Sequence, residues 1–389
     1  MPHSIQRAII VGGGIGGLCA AIALRQIGVE ATVYEKAPAL GNVGAGLVLW
    51  PNALRALRQL GAAEMVTKAG STIEHGQIRT AAGKILARSE PGELQRLYGE
   101  PTVAIHRADL HRILLSLLPA DAVQLGTAGV EFEQDATGVT VRFANGQTDR
   151  ADLLIGADGI HSAVRQQLFP AASLRYAGYT AWRGVVESPV TVTVGITSES
   201  WGRGSRFGAV PIDSRRVYWY ATLNQPAGRN YLPAEQKKLL QQRFKGWLQP
   251  VEMLLEATPA EIILQHDIYD IAPMARWSQG RVTLLGDAAH PTTPNMGQGA
   301  CMAIESAYVL ARSLSAKPDL PTALAAYEQE RRSRTAWVTN QSWQIGRIGQ
   351  LENGLACRLR DLLMLLTPAS VVKARLAKAA AYNVIQLSM

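Results

Sequence analysis

Two glycine-rich turns hold the residues of this chain whose types and spacing could do chemistry. The first, Gly12-Gly13-Gly14-Ile15-Gly16-Gly17, follows the apolar run Arg7 to Val11 and opens a helical pattern. Its glycines fit G-x-G-x-x-G: Gly12 for a tight turn, Gly14 for close backbone approach to a pyrophosphate, Gly17 for close helix packing. The dipole of the helix then faces the phosphates. Glu35 ends the next apolar stretch, where a carboxylate can accept hydrogen bonds from ribose hydroxyls. The pattern predicts an adenine dinucleotide and by itself leaves NAD and FAD both open. The second turn, GDAAHPTTPNMGQG from Gly286 to Gly299, decides between them. Asp287 can hydrogen-bond a sugar-alcohol chain, and Gly297-Gln298-Gly299 offers backbone N–H groups at a helix start. Such groups suit the electron-rich N1–C2=O edge of a flavin, whose negative charge grows on reduction. One FAD gripped at both ends accounts for both turns.

These turns need strands to end on and helices to begin. RAIIV, the glycine turn, LCAAIALRQIG and EATVYEK read as a βαβ unit whose helix closes near Gly28. PNALRALRQLG starts with proline at a helix start and closes on Gly61. A further helix, ADLHRILLSLL, follows Arg107 and stops at Pro119, and ADLLIGADG is a strand that breaks at Gly156 and Gly159. From Ser173 to Pro273 the texture changes. TAWRGVV, TVTVGIT, RFGAVPI and RVYWYATL are rich in aromatic and β-branched residues, and predict an antiparallel sheet inserted into the α/β scaffold. RVTLLGD returns to the first style, and two long helical patterns follow, Gln298 to Leu314 and Pro321 to about Gly346.

The 389 residues are 47% hydrophobic and 18% charged, enough for a well-buried core and more than one ordinary domain. No run of eighteen apolar residues appears and Met1-Pro2-His3 carries no leader pattern, so an intracellular, cytoplasmic protein is expected. Cys19, Cys301 and Cys357 lack disulfide-framework or zinc spacing and read as small packing thiols, with no metal site indicated. The net charge of +8 is concentrated at the end of the chain. Nine basic residues (Arg331, Arg332, Arg334, Arg347, Arg358, Arg360, Lys373, Arg375 and Lys378) stand there against Glu352 and Asp361. Among them, Leu355, Leu359, Leu362, Leu363 and Leu366 follow amphipathic-helix spacing. The expectation is that these leucines pack on the protein's own core. The alternative is a peripheral contact of the basic helix with an anionic membrane or an acidic partner. The arginines are not interleaved with aromatics and no recognition motif accompanies them, which argues against nucleic acid.

GGGIGG with Glu35, Gly156-Ala157-Asp158-Gly159 continuing as IHSAVR, and GDAAHPTTPNMGQGACMAIE together resemble the single-component, class A FAD-dependent monooxygenases of the aromatic hydroxylase type. The pattern NMGQGACMAIE is similar to salicylate and 3-hydroxybenzoate hydroxylases and to zeaxanthin epoxidases, and PNALRALRQLG, HRADLHRIL and AWRGVV match in order. The resemblance implies an α/β fold with a Rossmann-like FAD-binding domain of the glutathione-reductase and hydroxybenzoate-hydroxylase type. That domain would comprise residues 1–74, 101–172 and 275–346. An inserted, mostly antiparallel substrate-binding sheet would comprise 75–100 and 173–274, and a C-terminal helical segment 347–389.

The same resemblance implies individual roles. Gly12, Gly14, Ile15, Gly16, Gly17, Glu35 and Lys36 would hold the adenine half of FAD, and Gly46 belongs to the loop lying along the flavin. Arg107 would reach the cofactor, and Asp158 would bridge it and a transient NAD(P)H. Asp287, Pro294, Gly297, Gly299 and Ala300 would contact the ribityl chain and the isoalloxazine. His290 belongs to the loop signature rather than to proton transfer. Tyr179 is the candidate base for a phenolic substrate, and Tyr218 and Tyr220, alternating on one strand face, are candidate pocket residues. Two departures stand out: Cys301 replaces a frequent asparagine, and Ser306 follows Glu305 where an aspartate is frequent. The Leu47-Val48-Leu49-Trp50 loop lacks the histidine some heteroaromatic hydroxylases use as a base.

The implied activity is transfer of one oxygen atom from O₂ to an electron-rich aromatic, polyketide or isoprenoid-like carbon. NAD(P)H reduces the flavin, and a flavin C4a-hydroperoxide delivers the oxygen. A flavin-dependent halogenase or prenyl reductase on the same scaffold is the first alternative, although the halogenase signature W-x-W-x-I-P is missing. A flavin-binding, membrane-peripheral module is the non-enzymatic one. The sequence leaves substrate identity, hydroxylation against epoxidation, NADH against NADPH, and monomer against homodimer open.

Overall fold

The computed structural model describes residues 5–39, 45–187 and 193–385. The expected leader-free start at Met1 to His3 and most of the Gly41 to Gly46 loop lie outside them, although Gly46 itself does not. Strand β1 (Arg7–Val11) is almost wholly buried and feeds helix α1 (Ile15–Gln26) through the glycine turn. Leu18 to Leu24 of α1 are all buried, so this helix is apolar on every side and sits in the core. The chain returns through β2 (Glu30–Tyr34), then β3 (Gly46–Leu49), and α2 (Pro51–Gln59) begins with its proline at the first helical positions. A hairpin follows, β4 (His75–Thr80) and β5 (Ile85–Ser89). Next comes β6 (Val103–His106), which pairs antiparallel with β3 and runs directly into α3 (Arg107–Ser116). Strand β7 (Leu153–Gly156) and helix α4 (Ala163–Leu168) complete the first half.

The aromatic, β-branched stretch forms β8 (Arg175–Glu187), β9 (Ile196–Trp201), β10 (Ser205–Pro211) and β11 (Arg216–Asn224). Helices α5 (Pro233–Arg243) and α6 (Val251–Ala257) come next, then β12 (Leu264–Asp270). These strands and the β4–β5 hairpin make a seven-stranded sheet in the order β12-β8-β11-β10-β9-β4-β5, antiparallel except between β9 and β4. Period-two alternation gives the sheet two faces. Trp182, Phe207 and Trp219 face one side and pack with Leu240, Phe244, Leu254 and Leu255 of the two helices. The residues between them face the nucleotide-binding half.

Strand β13 (Val282–Leu284) re-enters the first sheet, whose order is Ser278–Gln279, β13, β7, β1, β2 and Val123–Gln124. Its long neighbours pair parallel, so their carboxyl ends and following turns share one edge. Helix α7 (Gly299–Ala316) packs against α1, and α8 (Leu320–Gly349) against α7. Buried Glu305 on α7 ties them, with Arg331 Nη2 donating at 2.6 Å and Arg334 Nη2 at 2.8 Å. Cys19, Cys301 and Cys357 are buried free thiols. Helices α9 (Gly354–Leu366) and α10 (Ala369–Ala380) end the described chain. Here the structure corrects an expectation. The leucine stripe does form one helix face, but Leu355, Leu359, Leu362, Leu363 and Leu366 are all exposed, because α9 buries its other side through Cys357 and Arg360. Among the described residues no helix is long and apolar enough to cross a membrane.

Candidate active site

At the end of β1 the backbone of Gly12 takes φ +111°, and a β-carbon there would lie 2.3 Å from the Ala157 carbonyl oxygen. At Gly17 a β-carbon would lie 1.9 Å from the Gly12 carbonyl oxygen, and at Gly16 2.8 Å from Leu285. These positions have no room for a side chain. Gly14 differs: nothing lies within 4 Å of its missing β-carbon. It is the cap of α1, whose first N–H groups, from buried Ile15 onward, have no intrahelical acceptors. Glu35 accepts the Gly13 N–H at 2.7 Å and the Ala37 N–H at 2.9 Å, so its carboxylate is fixed beside the turn with lone pairs to spare. Lys36 beside it is exposed.

The second turn closes the same edge. Gly286 to Ala288 follow β13, and the exposed Asp287 side chain stands in the cleft. Although Asp287 is accessible to solvent, the protein around it removes part of its hydration and pushes its carboxyl above the ordinary range, while Arg107 and Arg165 pull it down. Arg107 is exposed at the first position of α3. Arg165 is buried and holds the cleft together: Nη1 donates to the Ala288 carbonyl at 3.0 Å, and Nη2 to the Ile160 carbonyl. It thereby joins the loop of Asp158 to the loop of Asp287. Its place in IHSAVR is the only signal for it in the sequence. Asp158 faces the protein, accepting from Ser162 Oγ at 2.5 Å and the Ala163 N–H at 2.7 Å at the start of α4. His290 is buried against Trp277, with Nε2 3.0 Å from Ser306 Oγ, and burial holds its pKa down at about 3. It is a neutral packing residue.

Pro294 and Gly297 are exposed, Gly299 and Ala300 half-buried. Gly297 has φ +62°, and around the missing β-carbon of Gly299 only Thr292 approaches, at 3.6 Å. Under this turn Asn52 Nδ2 donates to Gln298 Oε1 at 3.0 Å and to Glu305 Oε1 at 2.6 Å. The buried ion cluster thus supports the turn that presents the bare start of α7.

Facing the turn is the second side of the seven-stranded sheet. Register pairs Arg183 with Tyr220 and Val185 with Tyr218 on neighbouring strands, and Gly208 with Tyr220 on the next. Tyr179, Arg183, Arg206, Tyr218 and Tyr220 therefore share this face with Glu199, which pairs opposite Gly208. Gly46 packs directly on it: a β-carbon there would lie 2.5 Å from Tyr218 Cβ. Arg206, 3% exposed, donates from Nη2 to Asn295 Oδ1 at 2.7 Å, from Nη1 to Glu199 Oε1 at 3.1 Å and from Nε to Gln350 Oε1 at 2.9 Å. Its guanidinium lies 5.5 Å from the centre of the Tyr179 ring. The Tyr179 hydroxyl donates to the same Asn295 Oδ1 at 3.2 Å, and burial raises its pKa above the ordinary tyrosine value. Burial also raises Tyr218 and, strongly, Tyr220. These phenols are hydrogen-bonding groups rather than bases at neutral pH. His266, opposite Ala181 on β12, is accessible to solvent, yet hydration lost to the surrounding protein and the charges of Arg183 and Arg107 keep its pKa below the ordinary value. Asn295 joins the two parts, sitting on the turn between Pro294 and Gly297 while bonding to the sheet. Arg206, Glu199, Asn295, Gln350 and His266 had not been singled out in the sequence.

The chain matches the family model described as an FAD binding domain over residues 6–342. It is 45% identical over 367 residues to "Aurachin C monooxygenase/isomerase" of Stigmatella aurantiaca, covering 94% of this chain and 96% of that one. It is 37% identical over 369 residues to the 3-amino-4-hydroxybenzoate 2-monooxygenase of Streptomyces cremeus, covering 93% and 92%. Among solved structures, Klebsiella pneumoniae HpxO complexed with FAD and uric acid superimposes with a TM-score of 0.90 at 31% identity, covering 97% of each chain. With the strand-edge cleft, its glycine turns and the sheet that closes it, these likenesses establish that the chain belongs to the FAD-binding-domain family and is an oxidoreductase enzyme, an FAD-dependent monooxygenase.

Proposed function

We propose that this enzyme hydroxylates a ring bearing an acidic hydroxyl or an enolisable carbonyl, held between the Pro294–Gly299 turn and the polar face of the seven-stranded sheet. The residues present fit FAD. Open space at Gly14 lies over the bare start of α1, Glu35 is fixed beside it, and Asp287 with Arg107 stands midway. The uncovered N–H groups at Gly299 and Ala300 mark the far end. When bound, FAD supplies reduction by NAD(P)H and activation of O₂. In this reading Gly12 to Gly17, Glu35 and Lys36 hold the adenine half, and Asp287, Pro294, Gly297, Gly299 and Ala300 the flavin half. Gly46 positions the loop alongside, and Asp158 orders the loop that NAD(P)H meets. The FAD-binding and substrate-binding parts are those divided at residues 74/75, 100/101, 172/173 and 274/275. An NAD(P)H supply and reduced thiols are consistent with a cytoplasmic enzyme.

The observation that carries this reading is Asn295, which accepts from both Arg206 and Tyr179 while standing on the turn assigned to the flavin. Arg206 keeps its charge despite burial, since Glu199 faces it and raises its pKa. Arg183 adds a second cation to the same face. Two arginines and three phenols favour a substrate that presents an oxyanion or a strong acceptor. Tyr179 then positions the ring by hydrogen bonding instead of removing its proton. The relatives named for aminohydroxybenzoate and complexed with uric acid act on or bind compounds of this kind, oxygen-bearing rings with nitrogen attached or included. A colour and turnover assay tests the proposal. The purified protein is expected to be yellow, and a hydroxylated nitrogen heteroaromatic such as a quinolone should accelerate NAD(P)H oxidation with O₂ uptake and a product heavier by one oxygen. A colourless protein that FAD does not restore defeats it.

A further inference from the structure

Helix α9 turns an apolar face to solvent. Leu355, Leu359, Leu362, Leu363 and Leu366 are 75, 57, 51, 56 and 68% exposed. The helix cannot bury them by rolling, because its opposite side is fixed. Arg360 Nη1 donates to the Gly202 and Gly349 carbonyls, and its guanidinium lies 5.1 Å from the centre of the Trp201 ring. A contiguous face of five leucines on a folded chain marks a contact surface rather than ordinary scatter.

The charge around this face selects its partner. Exposed Arg358 lies one turn from both Leu355 and Leu362, on the flank of the stripe. The next helix, α10, adds exposed Arg375, Lys378 and Val371, which line a shallow groove of about 450 Å³ together with Trp337, whose ring centre lies 4.8 Å from Lys378 Nζ. On α9 the acidic residue Asp361 is already paired with Arg360 at 2.8 Å. A second copy of this chain would set these cations against themselves. An acidic soluble partner would answer the charge and leave the leucines without a matching depth of apolar surface. An anionic bilayer answers both, with headgroups for the arginines and acyl chains for the leucines.

We infer that α9, with the basic flank of α10, is a docking surface for an anionic lipid bilayer. The surface is fastened to the sheet of the candidate pocket. The Gly204 N–H donates to the Leu351 carbonyl at 2.8 Å, Asn224 Nδ2 donates to the Gln350 carbonyl at 2.9 Å, and Gln350 Oε1 accepts from Arg206. Docking on α9 therefore brings the end of that sheet to the lipid surface, where a lipophilic ring substrate would be concentrated.

Vesicle flotation of the FAD-loaded full chain tests the inference. Binding is expected to vesicles of phosphatidylcholine with phosphatidylglycerol, about tenfold more weakly to phosphatidylcholine alone, and to weaken as salt is raised. L359S/L363S and, separately, R358E/R375E are each expected to lower binding by about tenfold, with flavin absorbance and NAD(P)H oxidation unchanged. If one variant fails to hold FAD, the other carries the test. Absence of flotation, flotation unaffected by both variants, or a dimer in size exclusion that L359S/L363S dissociates without any vesicle binding would overturn it.

Discussion

Where the cleft meets the expected cofactor, it does so mainly through backbone and a few carboxylates; where it meets the expected substrate, it does so through long side chains. The cradle consists of glycines, helix starts and one fixed carboxylate, so the shape of its turns is set mainly by backbone atoms. The sheet face consists of Arg183, Arg206, Tyr179, Tyr218 and Tyr220, set by register, with Arg206 and Tyr179 held by Asn295 and, for Arg206, Gln350 from outside the sheet. The difference teaches how each half can change. A methyl group suffices to break the cradle, whereas the sheet face can be re-specified by exchanging a side chain while the cofactor stays.

Gly17→Ala is the severest test of the cradle. With the Gly12 oxygen 1.9 Å from the new methyl, the turn must deform. FAD affinity measured by fluorescence titration is expected to fall by about a hundredfold or more, roughly 2.8 kcal/mol, together with a lower Tm. A milder version separates fold from binding: Gly14→Ala meets nothing within 4 Å and should leave Tm unchanged while weakening FAD by about tenfold. Loss of Tm in Gly14→Ala would show that the open space is not the phosphate site.

Glu305→Gln attacks the support beneath the second turn. It leaves buried Arg331, which is 0% exposed, with only neutral partners, at a cost of about 3–5 kcal/mol in stability by denaturant titration. The pH dependence follows from the same group. Arg334 and Arg331 overcome desolvation and hold Glu305 at about 2, below its ordinary 4.5. A depressed carboxylate stabilises fully above its unfolded pKa and loses that contribution as pH falls through the folded one. Stability of the wild type should therefore drop between about pH 4.5 and pH 2, and Glu305→Gln should flatten that part of the curve.

On the sheet side the effects should appear in turnover and spare the cofactor. Tyr179→Phe removes one neutral hydrogen bond to Asn295, and KM should rise about fivefold, corresponding to about 1 kcal/mol, with kcat nearly unchanged. If activity rises with pH in the wild type through the ionisation of a group that disappears in Tyr179→Phe, so that the acidic limb of the pH–rate profile is lost, Tyr179 acts as a base instead.

The same contrast decides what the sequence reveals. Glycine requirements are local, so both turns, Glu35 and the helices they open are legible in short motifs. The sheet face is assembled from β8, β9, β10, β11 and the end of α8, so its contents depend on register. A register shift between Tyr176 and Thr180 defeats counting by alternation along β8. Arg206 is one arginine among many until Glu199, Asn295 and Gln350 are seen around it. The C-terminal leucines show a third case: periodicity predicts the helix and its stripe, but which side meets the core is decided by Cys357 and Arg360 on the opposite face.

The division of labour between cradle and sheet face is tested most directly by Arg206→Met, assayed for FAD affinity and for substrate-stimulated NAD(P)H oxidation in the same preparation. The expected result is a yellow protein with wild-type FAD affinity and a stimulated kcat/KM lower by about a hundredfold, roughly 2.8 kcal/mol, because a buried charge leaves a hydrogen-bonded cluster. Loss of FAD, or stimulation equal to that of the wild type, would contradict it.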